Sequence, residues 1–308
     1  MIKIVNRRRF LQSAAAGIAL MPAELWSRAG HKVRIGIFSK HLQWLDYQQT
    51  AETVAELGYD GIECPVRPRG HVLPENAGRD LPRFAGALRS HGRDILMATT
   101  AFHDLAEAHA KTILRTAAQL GIKLYRIGGW RYSEGVPVPD RLIQIRAQLE
   151  AFVEFNREHG ICAAYQNHSG TRVGAAVWDI WELIRDFDPE AIGIAFDIGH
   201  ATVEGGYAWP VHFRLMRPHI KIVIVKDFKW GRDREGRWRA MWCPLGQGMV
   251  DRSFFNMLAE SGYSGPIIQH FEYPVQGGNE REKQDNLIAA MKRDLLTLKG
   301  WLEEAGLL

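Results

Sequence analysis

The feature that most constrains this chain is a regular alternation of short apolar runs with longer amphipathic stretches. Apolar runs of four to seven residues are typical of strands that are buried on both faces. They cover residues 33–38, 61–64, 95–100, 124–128, 162–166, 192–197, 220–226 and 266–271. The stretches between them carry apolar residues at helical spacing, as Leu105, Ile113, Thr116 and Leu120 show. They cover roughly 42–57, 80–91, 104–120, 139–159, 176–186, 210–217, 251–261 and 280–305.

Alternation of strand and helix predicts parallel strands that are joined by crossover helices. Eight such units in 308 residues match one closed (β/α)8 barrel of about 250 residues with a short leader. Gly58, Gly121, Gly160 and Gly262 each stand just before a predicted strand, where a helix commonly ends on a left-handed glycine. A doubly wound open sheet is the alternative, but no Gly-x-Gly-x-x-Gly turn follows the first predicted strand.

The first 29 residues resemble an export signal rather than part of the barrel. Arg7-Arg8-Arg9-Phe10-Leu11 fits the twin-arginine pattern, an apolar segment covers 14–21, and Ser27-Arg28-Ala29 is a small-x-small cleavage site. Eight apolar residues are too few to span a bilayer. The sequence therefore predicts a twin-arginine signal peptide at 1–29, a barrel domain at 30–308, use of the twin-arginine export machinery and a periplasmic or secreted location. An uncleaved membrane-anchored form and a cytoplasmic protein remain alternatives.

The charge of the chain comes mostly from this leader. The whole chain has 39 Lys and Arg residues and 35 Asp and Glu residues, but residues 30–308 have 34 of each. A nearly neutral domain offers no basic surface for nucleic acid, so we expect no nucleic-acid partner.

The three cysteines of the chain, Cys64, Cys162 and Cys243, form no Cys-x-x-Cys motif. Cys162 is predicted to be a buried thiol, whereas a disulfide between Cys64 and Cys243 stays open.

Polar residues follow six of the predicted strands. In a closed barrel, the carboxyl ends of the strands meet at one mouth, where enzymes of this architecture place their active sites. Repetition of polar residues at this position therefore indicates an enzyme site. The clusters are Ile62-Glu63, Arg126-Ile127-Gly128-Gly129-Trp130, Tyr165-Gln166-Asn167-His168, Phe196-Asp197-Ile198-Gly199-His200, Val225-Lys226-Asp227-Phe228 and His270-Phe271-Glu272-Tyr273.

Several of these clusters resemble motifs of a known family. They are Gly-Tyr-Asp-Gly-Ile-Glu at 58–63, Asn-His at 167–168, Phe-Asp-Ile-Gly-His-Ala at 196–201, Val-Lys-Asp-Phe at 225–228 and Pro-Leu-Gly-Gln-Gly-Met-Val-Asp at 244–251. In order and spacing they resemble the sugar phosphate isomerase/epimerase family of the xylose isomerase-like TIM barrel superfamily. The resemblance covers about residues 33–300, and His-Phe-Glu-Tyr at 270–273 resembles a secreted subgroup.

The resemblance implies one divalent metal ion at the barrel mouth. In that family the ligands are a Glu after the fifth strand, an Asp after the sixth, a His on the seventh and a Glu after the eighth. The corresponding residues here are Gln166, Asp197, Ile224 and Glu272, so only two of the four ligands are retained. If Mn²⁺, Mg²⁺ or Zn²⁺ binds, we expect Asp197, Glu272, Gln166 and His168 to hold it. The alternative is a hydrogen-bonded polar cluster in which His200 or Lys226 satisfies Asp197.

The resemblance also implies removal of a proton next to a carbonyl, through an enediolate whose charge a cation stabilises. Gln166 cannot accept a proton, which counts against a mechanism with two carboxylates. Isomerisation or β-elimination with one base remains. Glu272, or His270 if it is neutral, is the expected base. Lys226 is expected to pair with the oxyanion, or else to form a structural salt bridge.

A carbohydrate is the expected ligand. The predicted substrate-binding residues, which all follow strands, are Glu63, His103, Trp130, His168, His200 and Trp230. The segment 230–242, with a turn at 233–236, is predicted to be a hairpin that acts as a lid or contacts a second subunit. The sequence thus predicts a sugar isomerase/epimerase-like enzyme, and a homo-oligomer is an expected form of it. A lyase or hydrolase of oxidised glycosides and a non-catalytic sugar-binding barrel are the alternatives.

Overall fold

The computed structural model describes residues 32–308, and the predicted leader lies outside this range. The described chain contains a closed barrel of eight parallel strands, which confirms the predicted (β/α)8 architecture. The barrel strands are β1 Ile35–Phe38, β2 Gly61–Pro65, β3 Asp94–Thr99, β4 Leu124–Arg126, β5 Cys162–Gln166, β6 Ile192–Asp197, β7 Ile220–Val225 and β10 Ile267–Gln269. Around the barrel their order is β1-β10-β7-β6-β5-β4-β3-β2.

Two further strands, β8 Asp227–Arg232 and β9 Trp238–Cys243, pair antiparallel after β7 and form the predicted hairpin. Nine α-helices lie within the described residues. They are α1 Tyr47–Leu57, α2 Ala77–Ser90, α3 Ala110–Gln119, α4 Val138–His159, α5 Val177–Ile184, α6 Ile198–Gly205, α7 Trp209–Met216, α8 Ser253–Glu260 and α9 Glu280–Glu304. Eight occupy predicted stretches, whereas the short helix α6 follows β6 directly and was not predicted.

The predicted glycines take the left-handed conformation that ends a helix. Gly58, Gly121, Gly160 and Gly262 have φ angles of 89°, 75°, 61° and 74°. Glycine adopts this conformation readily because it has no Cβ, whereas the Cβ of other residues would clash with the backbone there. Each glycine therefore turns the chain from a helix towards the next barrel strand.

Two apolar layers hold the strands in place. The barrel interior is a small cluster of strand side chains: Phe38, Leu96, Met97, Ala164, Ala195, Ile222, Ile224 and Ile268. Gly36 makes room for it, since a Cβ at this position would lie 2.6 Å from Ile268 Cδ1. A much larger cluster fills the space between the strands and the surrounding helices. The mouth residues are thus carried on a packed and rigid support.

All three cysteines are free, so Cys64 and Cys243 do not pair in this structure, and Cys162 is a buried thiol as predicted. Among residues 32–308, no helix has both the length and the apolar character needed to cross a membrane.

Candidate active site at the barrel mouth

A cavity of about 370 Å³ lies at the carboxyl ends of the barrel strands, which we call the mouth cavity. Its wall is mainly polar and is contributed by residues that end or follow the strands. The lining residues are Phe38, Lys40, Arg67, Thr100, Ala101, His103, Arg126, Ile127, Gly128, Gly129, Tyr165, Gln166, His168, Arg172, Val173, Lys226, His270 and Glu272. Five cationic side chains line the cavity, against the single carboxylate of Glu272. The cavity therefore favours a polar ligand that is rich in oxygen.

Lys226 lies at the centre of a buried polar cluster. Its Nζ atom is 2.9 Å from Asp197 Oδ2 and 2.8 Å from His200 Nε2. An ammonium group only donates hydrogen bonds, so His200 Nε2 must accept here. His200 Nδ1 then carries the proton and donates a hydrogen bond to the hydroxyl of Ser169. Two of the three Lys226 N–H groups are thus used, and one is left for a ligand in the cavity.

Asp197 is fully buried behind the cavity wall. As the residue before α6, it accepts hydrogen bonds from the backbone N–H of His200 at 3.0 Å and from Gln166 Nε2 at 2.8 Å. Burial by itself would raise the pKa of Asp197, but the charge of Lys226 and the hydrogen bond from the backbone N–H of His200 outweigh burial and hold this pKa well below its usual range. Burial lowers the pKa of His200, which matches the neutral ring that the hydrogen bonds require. The cluster is therefore an ionised carboxylate that holds a lysine ammonium at the cavity wall.

His270 is held by a second buried carboxylate. Its Nε2 atom lies 2.6 Å from Oε2 of Glu63, whose other oxygen accepts a hydrogen bond from Thr99 and lies 3.5 Å from Arg126. Burial would raise the pKa of Glu63, but His270 and Arg126 lower it to about 2. An ionised Glu63 requires a proton on His270 Nε2. The lone pair of a neutral His270 is then on Nδ1, which lies 3.7 Å from Oε1 of Glu272.

Glu272 forms the outer edge of this group. Both of its carboxylate oxygens accept from Lys40 Nζ, at 2.8 and 2.9 Å, and about a quarter of its side chain is exposed. Burial would raise its pKa, but the ammonium groups of Lys226 and Lys40 outweigh burial and hold the pKa below the usual range of a glutamate. Glu272 is therefore ionised, and the ion pair with Lys40 must loosen before it can accept a proton from a ligand.

The aromatic ring of Phe38 forms the floor of the cavity. His270 stacks on this ring at a centroid distance of 4.8 Å. Lys40 Nζ and the guanidinium carbons of Arg67 and Arg126 lie 5.2, 5.6 and 5.4 Å from the ring centroid. Cations at this range are attracted by the face of the ring. The ring, only 2% exposed, thus gathers positive charge at the cavity wall.

The structure brings most of the predicted site residues to this cavity. Gln166, Lys226, His270, Glu272, His103 and His168 line it. Asp197, Glu63 and His200 lie behind them and are almost fully buried.

The two predicted indoles lie elsewhere. Trp130 is only 3% exposed, because its ring stacks on Tyr165 and its Nε1–H donates to Gln148 at 2.9 Å. Trp230 lies on strand β8 of the hairpin and faces a second cavity. Neither side chain lines the mouth cavity.

Four positive residues of the cavity were given no role in the prediction from sequence, although Arg126 belongs to a predicted strand-end cluster. Lys40 and Arg67 follow β1 and β2, Arg126 ends β4, and Arg172 lies in the loop after β5. The strand-end rule that found the carboxylates applies to these cations equally well. Arg67 and Arg172 form no ion pair with a carboxylate of residues 32–308, in contrast to Lys40, Arg126 and Lys226.

The described side chains do not form the metal site that the resemblance implies. The ammonium of Lys226 occupies the position beside Asp197 Oδ2 that a cation would take. Gln166 directs its carbonyl oxygen to Arg126 and its amide to Asp197. The position of the missing histidine, Ile224, lies in the apolar barrel interior. In residues 32–308, no three His, Cys, Asp or Glu side chains come together as a metal site would need.

Comparison with known proteins gives the same architecture and a family. Residues 51–294 match the family described as xylose isomerase-like TIM barrel. The inosose dehydratase of Lacticaseibacillus casei is 27% identical over 154 residues, which are 46% of this chain and 51% of that protein. The chain thus spans about half the length of the curated relatives that it matches.

Solved structures agree on the fold. A D-tagatose 3-epimerase-like protein superposes with a TM-score of 0.66 at 20% identity, covering 89% of this chain and 98% of its own. A xylose isomerase-like TIM barrel protein from Mycobacterium smegmatis, solved in complex with magnesium, superposes with a TM-score of 0.58 at 16% identity, covering 86% and 97%. At these identities the likeness shows the fold alone. The family match covers most of the chain, and this chain therefore belongs to the xylose isomerase-like TIM barrel family.

Proposed function

We propose that this protein is a sugar isomerase/epimerase-like enzyme that removes a proton next to the carbonyl of a sugar or keto-sugar. One observation carries the proposal: a lysine ammonium and a histidine, each held by its own buried carboxylate, line the same cavity. A D-tagatose 3-epimerase-like protein and a 3-keto-D-glucoside 4-epimerase share the fold, which supports a carbohydrate substrate.

Lys226 supplies the positive charge for this reaction. Its remaining N–H donates to the carbonyl oxygen of the substrate, and the attraction strengthens as that oxygen becomes an enediolate anion. Asp197 and His200 fix the ammonium in position before the substrate binds. Because the effective dielectric constant near a protein interior is lower than that of water, such a fixed charge stabilises the anion more than it would in solution.

His270 supplies the base. Its Nδ1 lone pair takes the proton from the carbon beside the carbonyl, while the C–H electrons form the C=C bond of the enediolate. The imidazolium that results lies between the carboxylates of Glu63 and Glu272, which stabilise its charge. Returning the proton to the neighbouring carbon, while the hydroxyl proton of that carbon moves to the former carbonyl oxygen, completes an isomerisation.

β-Elimination is the second candidate, and Gln166 favours it over epimerisation. The neutral amide of Gln166 stands where a second carboxylate would be needed to protonate the opposite face. The same enediolate can instead expel a hydroxyl or alkoxyl group from the next carbon, which leaves as water or an alcohol with the proton that His270 took up. The similarity to inosose dehydratases over half of their length supports this outcome.

Exchange of substrate hydrogen with heavy water tests the reaction. The full-length protein is incubated in ²H₂O with D-psicose, D-tagatose, an inosose and methyl 3-keto-β-D-glucoside, and the products are followed by NMR. We expect deuterium beside the carbonyl, or loss of a leaving group, with at least one compound. H270Q and K226M are expected to lower the rate by about 10²-fold or more, whereas H109N, at an exposed position, leaves it unchanged.

Chelation distinguishes the lysine from a metal ion. We expect the rate to survive dialysis against EDTA, because Lys226 already provides the cation beside Asp197. Full activity of K226M, or a rate that chelation abolishes and Mn²⁺ restores, contradicts the proposed role of Lys226. Binding of a compound without exchange or elimination in any assay points to the non-catalytic sugar-binding barrel instead.

A further inference from the structure

A second cavity adjoins the mouth cavity and lies against the β8–β9 hairpin; we call it the hairpin cavity. Its volume is about 450 Å³. His168, Lys226 and Glu272 line both cavities, so the two spaces meet at these side chains. The other lining residues of the hairpin cavity are Ser169, Gly170, His200, Val203, Glu204, Trp230, Trp238, Arg239, Ala240 and Trp242.

The two cavities differ in chemistry. Three tryptophans of the hairpin line the second one, whereas the first contains most of the cations. Trp230 and Trp238 remain 44% and 58% exposed. Large exposed aromatic side chains that share one concave surface are typical of a binding site. An indole presents a flat apolar face, which suits the C–H face of a sugar ring or an aromatic ring.

The hairpin is fixed rather than loose. Both oxygens of Asp227 accept backbone hydrogen bonds from the segment that follows the hairpin, at 2.9 to 3.0 Å. Asp233 accepts from the backbone N–H groups of Glu235 and Arg237 and closes the turn. Trp242 also packs over Lys226, whose Nζ lies 4.6 Å from its ring centroid. The indoles are therefore held at a defined position relative to the proposed chemistry.

We propose that the substrate is a two-ring glycoside, with the oxidised sugar ring in the mouth cavity and a second ring against Trp230 and Trp238. The bond between the rings then passes Lys226 and Glu272, where the cavities meet. Each cavity lies at the small end of the range of about 300–1,000 Å³ for ligand sites, so each suits one ring. This inference rests on the proposed function and adds the class of substrate.

Binding measurements test the second ring separately from catalysis. Calorimetric Kd values are compared for 3-keto-D-glucose, its methyl glycoside, its phenyl glycoside and 3-keto-cellobiose. We expect W230A and W238A to weaken binding of the two-ring compounds by about fivefold to tenfold, with little effect on the one-ring compounds. Comparison of the phenyl and glucosyl compounds shows which second ring the indoles prefer.

Trp178 offers a matched control. It is 51% exposed, belongs to helix α5 and lines neither cavity, so W178A should leave every Kd unchanged. Equal affinities for one-ring and two-ring compounds, or equal losses for both in W230A and W238A, overturn the inference. Because the readout is binding, selective binding without proton exchange would refute the proposed function alone. Proton exchange that occurs equally well with one-ring sugars would refute only the proposed binding of a second ring by the indoles.

Discussion

At the scale of single residues, the site is a set of charges that satisfy one another. Asp197 pairs with Lys226, Glu63 with His270 and Arg126, and Glu272 with Lys40. His168 and His200 beside these pairs stay neutral, because burial lowers their pKa values. His41 is a further example: burial and then the charge of Lys40 lower its pKa to about 3.

A buried neutral histidine makes the protein sensitive to acid. The pKa of His41 is about 6.5 in the unfolded chain and about 3 in the folded one. The unfolded state therefore binds more protons below pH 6.5, and the stabilisation that is complete above pH 6.5 is lost as the pH falls towards 3. The loss for His41 is at most about 1.4 kcal/mol for each pH unit.

We expect the variant H41Q to lose less stability than the wild type between pH 6.5 and 4, as measured by urea unfolding at each pH. The exposed His109 provides the control, since H109N should keep the slope of the wild type. Parallel curves for H41Q and the wild type would show that His41 takes up its proton in the folded state as readily as in the unfolded state.

Sequence reasoning found the residues of the site and offered the pairing of Asp197 with His200 or Lys226 as one alternative, but it did not predict the other pairs. Asp197, Lys226, His270 and Glu272 follow apolar runs, and the barrel brings such positions to one mouth. Which cation faces which carboxylate depends on rotamers and on neighbours that are remote in sequence. Lys40, for example, is 232 residues from Glu272. The prediction that Trp130 binds substrate was wrong for the same reason, because the stacking on Tyr165 that buries Trp130 is a tertiary contact.

At the scale of elements, the spacing of apolar residues and the positions of glycines predicted the strands and most helices. Helix α6 was not predicted, because its eight residues include two glycines and directly continue strand β6, so that no boundary is visible in the sequence. Its first turn is capped by Asp197, so the same carboxylate that holds Lys226 also starts this helix. The hairpin was predictable from its turn, Asp233-Arg234-Glu235-Gly236, where Gly236 has a φ of 77°.

The loop after the hairpin depends on a close approach at Gly248. Its backbone N–H donates to Asp227 at 2.9 Å, and a Cβ at this position would lie 2.0 Å from Oδ1 of Asp227. We expect G248A to lower the free energy of unfolding by on the order of 2–3 kcal/mol, since it disturbs a buried hydrogen-bonded carboxylate. Urea unfolding followed by circular dichroism measures the change.

Gly86 is the matched control for this substitution. It lies within helix α2, and a Cβ there would have no heavy atom within 4 Å. G86A should therefore stabilise the protein by about 0.5–1 kcal/mol. Similar effects of the two substitutions would mean that the contact with Asp227 does not constrain Gly248.

At the scale of the whole molecule, the eightfold alternation was enough to predict the closed barrel, whereas location and assembly are not decided by the fold. We propose that residues 1–29 direct twin-arginine export, on the basis of Arg7-Arg8-Arg9-Phe10-Leu11. A homo-oligomer that uses the hairpin also stays a prediction, and sedimentation of the purified protein would measure it.

Fractionation of a bacterium that has the twin-arginine machinery tests export. Replacing both leading arginines, R7K and R8K, should lower the periplasmic share of the full-length protein by about tenfold or more, because this pair identifies the signal. The control is R9K, which changes the unconstrained position of the pattern. Equal export of both variants would rule out this route.

Arg67 and Arg172 line the mouth cavity and have no carboxylate partner among residues 32–308, which has a consequence for anything dissolved around the protein. Guanidinium groups bind phosphate, sulfate and carboxylates in a bidentate manner. Citrate or phosphate buffer therefore competes with a neutral sugar for the mouth, and a sugar acid gains affinity there as the ionic strength falls.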